Sequence, residues 1–329
     1  MKFDMLKLNF HLFDGALNIN TTTQTGDGQD LSKEMKTFYD RALIRCAEPA
    51  LIHDQFGQKR PIPKGAGKKI EFRKFSSLPK ALTALTEGVT PEGSKYSVSA
   101  IEATVNQYGA YIAISDMLML TAFDNQMAEI IKILGSQAGR TSDTITREEI
   151  VKGTNAQYAN GKASRTNIAK GDNLTVVEIK KAVRTLKAAN APKINGYYVA
   201  LVHPDAVYDL WNDDEWVEAS KYAGSEQVFK GEIGKMYGVR FVESTEAKIW
   251  SGTVPVYATL VLGENAYGVT SINGGGIETI VKQLGSGGVS DPLNQKATVG
   301  WKLNKTAAIL SQEFMVRIEH TASITSDAN

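Results

Sequence analysis

Residues 86–153 constrain the fold most strongly: a long extended segment leads straight into a long helix. After the turn-rich stretch Thr86–Gly93, the run from Tyr96 to Ile114 contains no proline and is rich in Val, Ile, Tyr and Thr, a strand composition. Its 19 residues would reach about 60 Å if unbroken, at roughly 3.3 Å per residue. A compact chain of this length has a radius of gyration of only about 20 Å. Such a strand leaves the globule, and its apolar face then needs a partner, which points to a subunit of an assembly.

The alternation within the run changes phase. Ile101, Ala103 and Val105 hold odd positions, whereas Tyr108, Ala110, Ile112 and Ile114 hold even ones. A bulge or sharp bend is therefore expected around Asn106-Gln107, beside Gly109. Two ordinary strands joined by a tight turn at Gln107–Gly109 are the alternative. The following helix is expected from Asp124 to Lys152, with apolar residues at Phe123, Met127, Ile130, Ile131, Leu134, Ala138, Ile145 and Ile150. Asp124 can cap its start and Gly153 can end it. Gly135, Gly139 and Thr141-Ser142 weaken its middle, so a kink or break is expected there.

Composition closes off several classes of function. The formal net charge of +1 argues against whole-surface nucleic-acid binding. One cysteine, Cys46, leaves no disulfide framework and no CxxC zinc site, and reads as a small buried residue on a helix. No apolar stretch approaches the roughly 18 residues of a membrane span, and the N-terminus lacks a secretory signal pattern. Met1–Asp30 mixes short apolar clusters with a polar tract and reads as a flexible arm, or as one ordered only by a neighbour. A helix is expected from Asp30 or Ser32 through Cys46.

From about Leu174 the pattern becomes α/β. A helix over Val176–Ala189, a buried strand over Tyr197–Val202 and a helix over Ala206–Trp211 are followed by strands at Gly238–Val242 and Val256–Leu262. Ile277–Leu284 reads as a strand or short helix, and Trp301–Glu319 returns to strand. Gly274, Gly275, Gly276, Gly285, Gly287 and Gly288 mark loops that can act as hinges.

Motifs for chemistry are weak. Gly65-Ala66-Gly67-Lys68-Lys69 fails as a phosphate loop, because Ile62 and Lys69 occupy positions that need Gly and Ser or Thr. His11, His53, His203 and His320 stand singly, without metal-ligand spacing. His203 precedes Pro204 at a strand end, where a backbone hydrogen bond at the turn is expected. Asp209, Asp213, Asp214, Glu215 and Glu218 lack the pattern of a calcium loop and read as a solvated face or helix cap. No catalytic residue, cofactor or metal is expected.

Between Lys59 and Lys80, eight basic residues (Lys59, Arg60, Lys64, Lys68, Lys69, Arg73, Lys74, Lys80) accompany one acid, Glu71. Only Phe72 and Phe75 could stack on bases. Contact with an acidic patch on another copy is the favoured reading, with the acids at 209–218 as the partner.

The chain resembles tailed-phage major capsid proteins of the Hong Kong 97-type fold, and within them the N4-like group. The likeness rests on Leu85–Pro91, Val105-Asn106-Gln107-Tyr108-Gly109, Gly231-Glu232-Ile233-Gly234, Gly238–Glu243, Asp291–Gln295 and Val299-Gly300-Trp301-Lys302. It implies an α+β fold with an N-arm (1–30), an N-terminal helix (31–56), an extended E-loop and long strand (57–115), a P-domain spine helix and connection (116–171), an α/β A-domain (172–295) and returning P-domain strands (296–329). It further implies pentamers and hexamers of this chain in an icosahedral shell around double-stranded DNA, assembled in the host bacterial cytoplasm. A separate scaffolding protein, a portal and a cement protein are the partners expected, without a membrane. Some relatives cross-link lysine to asparagine, but no motif assigns the asparagine here. An encapsulin-like compartment is the alternative, followed by an α/β enzyme using His203.

Overall fold

The computed structural model describes residues 41–47, 51–62, 68–75, 78, 80–82, 84–85, 87–90, 93–121, 126–222, 234–271, 277–286 and 291–326. The N-arm, Lys64, Asp124, Gly274, Gly275, Gly276, Gly287 and Gly288 lie outside them. Within them a helical segment, α1 (described over residues 41–47), is followed by strands β1 (Gln58–Arg60), β2 (Lys69–Phe75), β3 (Val98–Thr104) and β4 (Asn106–Ser115). Helices α2 (Asp116–Thr121) and α3 (Gln126–Val151) come next, then β5 (Ala156–Tyr158), α4 (Val176–Ala188), β6 (Tyr198–Val202), α5 (Pro204–Trp211) and α6 (Asp214–Tyr222). The rest is strand: β7 (Lys235–Met236), β8 (Val239–Glu243), β9 (Ile249–Trp250), β10 (Val256–Leu262), β11 (Tyr267–Thr270), β12 (Ile277–Lys282), β13 (Lys296–Lys305), β14 (Ala307–Ile309) and β15 (Met315–His320).

The expected single strand over 96–114 is two strands. β3 and β4 are separated by Val105 alone, yet β3 pairs with β2 and β4 pairs with β13. No tight turn lies between them, so the alternative hairpin is also corrected. The phase change is real: Ile101 and Ala103 are covered on β3, and Tyr108, Ala110, Ile112 and Ile114 on β4. One residue between the two strands, its N–H bonded to the Lys68 carbonyl at 2.7 Å, turns the apolar side over because side chains alternate with a period of two.

A seven-stranded sheet runs β5-β15-β10-β6-β8-β7, with β9 paired to β10. Its centre, β6, is buried on both faces. Tyr198, Ala200 and Val202 pack among residues of α4 and α5, and Val199 and Leu201 face the C-terminal end of α3. α4 turns Val176, Ile179, Ala182, Val183 and Leu186 toward this sheet, the three- and four-residue recurrence of one helix face. Each of the Val, Ile and Leu side chains contributes about 1.5–3 kcal/mol on full burial.

The N-terminal half of α3 lies on a second sheet, β12-β13-β4, where Ile130, Ile131, Leu134 and Ala138 meet Val299, Trp301 and Leu303. Its last turn, Ile150 and Val151, enters the core of the seven-stranded sheet instead. One helix thus serves two cores. The helix is not broken at its weak middle, since α3 is continuous from Gln126 to Val151. Gly135 and Gly139 allow α1 to approach: a Cβ on Gly135 would stand 2.8 Å from the Leu43 carbonyl oxygen. Cys46 sits in this contact, half-buried.

Candidate functional site: assembly surfaces

The β2–β3 ribbon carries Lys69, Arg73 and Lys74 of the basic run. Its antiparallel register, Lys69 opposite Thr104 to Phe75 opposite Val98, presents alternate side chains to opposite faces. Ile70, Phe72 and Ala103 face inward and pack with Ala308 of β14. Phe72 is fully buried, and its ring lies against Gly268 of β11 so closely that a Cβ there would meet it at 2.3 Å. β11 also pairs in parallel with β1, so both segments of the basic run rest on the same strand region.

Lys69, Glu71 and Arg73 point the other way, whereas Lys74 alternates onto the face of Phe72. Lys69 donates to Glu102 at 2.6 Å, and this bond raises its pKa. Arg73 donates to Glu71 at 3.3 Å. The Arg60 guanidinium stands 5.9 Å over the Phe72 ring, and the Lys74 ammonium 5.8 Å over that of Phe314. Lys59, Lys68 and Lys80 are exposed. The ribbon is a basic outer surface on an apolar anchor. Exposed pairs such as Lys69–Glu102 add little stability.

The acidic cluster is divided among contacts within the chain. Asp209 accepts from the backbone N–H of Ser323 at 3.0 Å and from its hydroxyl. Asp213 accepts from the N–H groups of Val176 and Glu215, both at 3.0 Å, and so caps the starts of α4 and α6 with a carboxylate where the helix dipole favours it. Glu215 binds Lys180 and the Tyr237 hydroxyl, which hold its carboxyl below the usual range. Asp214 and Glu218 are exposed on α6. The helix-cap reading thus describes Asp213, while Asp214 and Glu218 keep an outward face.

His203 caps α5, with Nδ1 accepting from the Asp205 N–H at 3.2 Å, the backbone bond expected at this turn. Burial pushes its pKa down, against the opposing pull of Asp205 and Glu243. Asp209, Asp213 and Glu215 are engaged with other partners and do not converge on it. Asp205 itself accepts from the Tyr257 hydroxyl at 2.6 Å and from Ser326 at 2.7 Å. Burial, followed by Asp205, raises the Tyr257 phenol to about 12. Of the hinge glycines, Gly285 is described and has φ +90°, a conformation that suits glycine.

A buried polar junction was not singled out from the sequence. Lys305 Nζ donates to Asp54 at 2.6 Å, and Thr146 and Ser142 of α3 donate to the same carboxylate at 2.5 and 3.0 Å. Beside it, Asp143 accepts from the His53 N–H and contacts its Nδ1, both at 2.6 Å, and the Tyr267 hydroxyl donates to the His53 carbonyl. Burial lowers the Lys305 pKa, while Asp54 and Asp143 pull it up. Ser142, Asp143 and Thr146 occupy the helix face that continues to Ile150, and polar residues in that phase were the available signal. The junction ties the chain before β1, α3 and the end of β13 together.

Two sets of large apolar side chains are exposed along the chain. Leu78, Leu82, Leu85 and Val89 lie in the connection between β2 and β3, and Met117, Leu118, Met119 and Leu120 make up most of α2. Among the described residues, no helix is long and apolar enough to cross a membrane.

Comparison with known proteins gives these surfaces a context. A family described as phage capsid protein matches residues 98–318, about two thirds of the chain. No curated protein matches the sequence. The fold is similar to the capsid of Ralstonia phage GP4, with a TM-score of 0.64 and 14% identity over 83% of this chain and 88% of that one. It is similar to the capsid of cyanophage P-SCSP1u, with a TM-score of 0.61 and 14% identity over 83% and 89%. The SrpI encapsulin of Synechococcus elongatus is also similar, with a TM-score of 0.52 and 10% identity over 87% and 92%. Fold likeness extends to both kinds of shell, but the sequence match is specific: the chain belongs to the phage capsid protein family and is a shell-forming major capsid protein with the Hong Kong 97-type fold.

Proposed function

We propose that this chain assembles into pentamers and hexamers that close an icosahedral shell around double-stranded phage DNA. The observation that carries the reading is the family match across residues 98–318, which runs from the ribbon strand β3 through both cores. In this reading residues 1–30 are the N-arm, 57–115 the E-loop, 116–171 with 296–329 the P-domain, and 172–295 the A-domain that meets its copies at the five- and six-fold centres. The resemblance of the motifs quoted above supports a position near the N4-like group. Exposed basic residues on and beside the ribbon, Lys59, Lys68 and Lys80 among them, face acids of a neighbouring copy, for which Asp214 and Glu218 are available.

Further partners follow from the same reading. A separate scaffolding protein directs closure in the bacterial cytoplasm, a portal occupies one vertex, cement protein binds outside, and DNA contacts the inner face without sequence specificity. Modest contacts suffice, because closure with many copies multiplies them.

Negative-stain microscopy with light scattering, on the chain alone and with the candidate scaffold, tests the proposal. Closed shells or discrete pentamers and hexamers are expected. A stable monomer or dimer under both conditions, with residues 57–115 protected from protease, would overturn it. The likeness to the SrpI shell supports a second reading, a genome-free compartment; protein cargo without DNA in particles made during infection would favour it.

A further inference from the structure

We propose that Lys235 and Arg240 hold a phosphate group in a small pocket at one edge of the seven-stranded sheet. The pocket lies within a single subunit, so the proposal goes beyond the shell reading and does not depend on it. β7 and β8 form a hairpin whose two-residue loop, Tyr237-Gly238, has φ angles of +50° and +79°. A tight turn of that kind fixes the register, and the register sets Lys235 directly opposite Arg240. The Phe241 N–H bonds to the Gly234 carbonyl at 3.3 Å, so the neighbouring Lys235–Arg240 pair is of the non-hydrogen-bonded kind. Side chains stand closer in such pairs, and like charges placed this way repel.

Nothing described in the chain offsets that repulsion. Among the described residues, neither Lys235 nor Arg240 makes an ion pair. Lys235 instead carries its ammonium over the Tyr197 ring, 4.5 Å from the centroid. Arg240 is the register partner of Val199 in the parallel pairing of β6 with β8, so the two side chains leave the sheet on one face. There they line a partly enclosed cavity of about 260 Å³ together with Lys235, Tyr197, Asn195 and Gln55. Asn195 is held at it by a second tight turn, with φ +50° followed by +86° at Gly196. Two cations, two carboxamides and a phenol thus converge, and among the described residues no carboxylate lines the cavity.

This set of groups selects an oxyanion. The guanidinium fork matches two phosphate oxygens, and the ammonium adds a point charge beside it. A phosphate monoester or the free ion carries about −1.5 to −2 at neutral pH and offsets both cations, whereas a carboxylate offsets one. The cavity is smaller than the roughly 300–1,000 Å³ of pockets for drug-sized ligands, so it suits one phosphate group rather than a whole nucleotide. Free phosphate and a backbone phosphate of DNA present the same oxygens, and the test separates them.

Calorimetric titration of the full-length chain, dispersed as subunits, with sodium phosphate is the first arm, with sodium acetate at matched ionic strength as the comparison. The second arm is a short DNA duplex titrated at several salt concentrations. Arg240→Gln and Lys235→Gln should each weaken phosphate binding by about tenfold or more. Lys193→Gln, whose ammonium lies 5.8 Å from the ring of Tyr198 and outside the cavity, should not. Without phosphate, the two site substitutions should leave the melting temperature equal or higher, since each removes a like-charge pair; lost binding is then not lost folding. A loss in the first arm identifies free phosphate as a ligand. A loss in the second, with the salt slope flattened by about 0.9 for the phosphate released, identifies the DNA backbone. Acetate binding as tight as phosphate binding would overturn the pocket. So would a parent chain that binds in neither arm, or binding in both arms that survives both substitutions.

Discussion

Gly139 of α3 lies against Ala47 of α1 so closely that a Cβ on the glycine would stand 2.4 Å from the Ala47 carbonyl oxygen. The obstacle is backbone, which cannot swing aside as a side-chain tip can. Gly139→Ala would raise helix propensity by about 1 kcal/mol, but the overpacking it causes costs roughly 1–3 kcal/mol. The expected result is undocking of α1. Cys46 lies in the same contact and is the only thiol, so faster labelling of Cys46 by a thiol reagent reports it, with Gly139→Ser behaving alike.

Phe72 fastens the ribbon to the body. Phe72→Ala should cost roughly 3–5 kcal/mol where the site cannot collapse, and should open β2 and β3 to protease before the rest of the subunit unfolds. Gly268→Ala should loosen the same attachment from the other side, because its Cβ meets the ring. Limited proteolysis followed by mass spectrometry locates the first cuts; cleavage starting inside β6 or β10 would contradict the anchor.

At the buried junction, Asp54→Asn removes the countercharge of Lys305, whose side chain is wholly buried. Breaking one side of such a pair costs about 3–5 kcal/mol. Replacing both members, as Asp54→Asn with Lys305→Met, should cost less than the first change alone, since no charge is then left unpaired. Chemical denaturation of the unassembled subunit gives both values and their coupling.

His320 makes the subunit acid-sensitive. Burial first, with the neighbouring His203 adding to it, holds the His320 pKa at about 4, although the Thr321 carbonyl bond pulls the other way. Its Nδ1 donates to that carbonyl at 2.8 Å and its Nε2 accepts from the Thr259 hydroxyl at 2.8 Å, an arrangement for the neutral ring. The unfolded chain binds the proton near pH 6.5 and the folded chain near pH 4, so stability falls as pH drops through that window. The loss amounts to about 3 kcal/mol at its acid end. Burial of His203 acts in the same direction. Melting temperature measured from pH 7 to pH 4 should decline, and His320→Asn should flatten the decline.

Local patterns carried much of the architecture. The helix face of α4, the strands β6 and β10, and the cap at His203 were all legible, because each depends on residues a few positions apart. The phase change beside Val105 was visible as well. Its meaning was not: alternation says where a strand turns over but not that β4 will pair with β13, placing Ala110 opposite Trp301. The same limit explains Gly135 and Gly139. In sequence they weaken a helix, and only the arrival of α1 makes them contact points. The junction of Asp54, Ser142, Thr146 and Lys305 joins four distant positions, and no local spacing reveals it.

The two cores that share α3 also limit how such a gene can be shuffled. Exchange with a relative inside the helix would graft the half facing Trp301 onto a half fitted to another parent's Val199 and Leu201. Viable crossovers should therefore fall before Gln126 or after Val151, and the helix should pass between phage lineages as a single block.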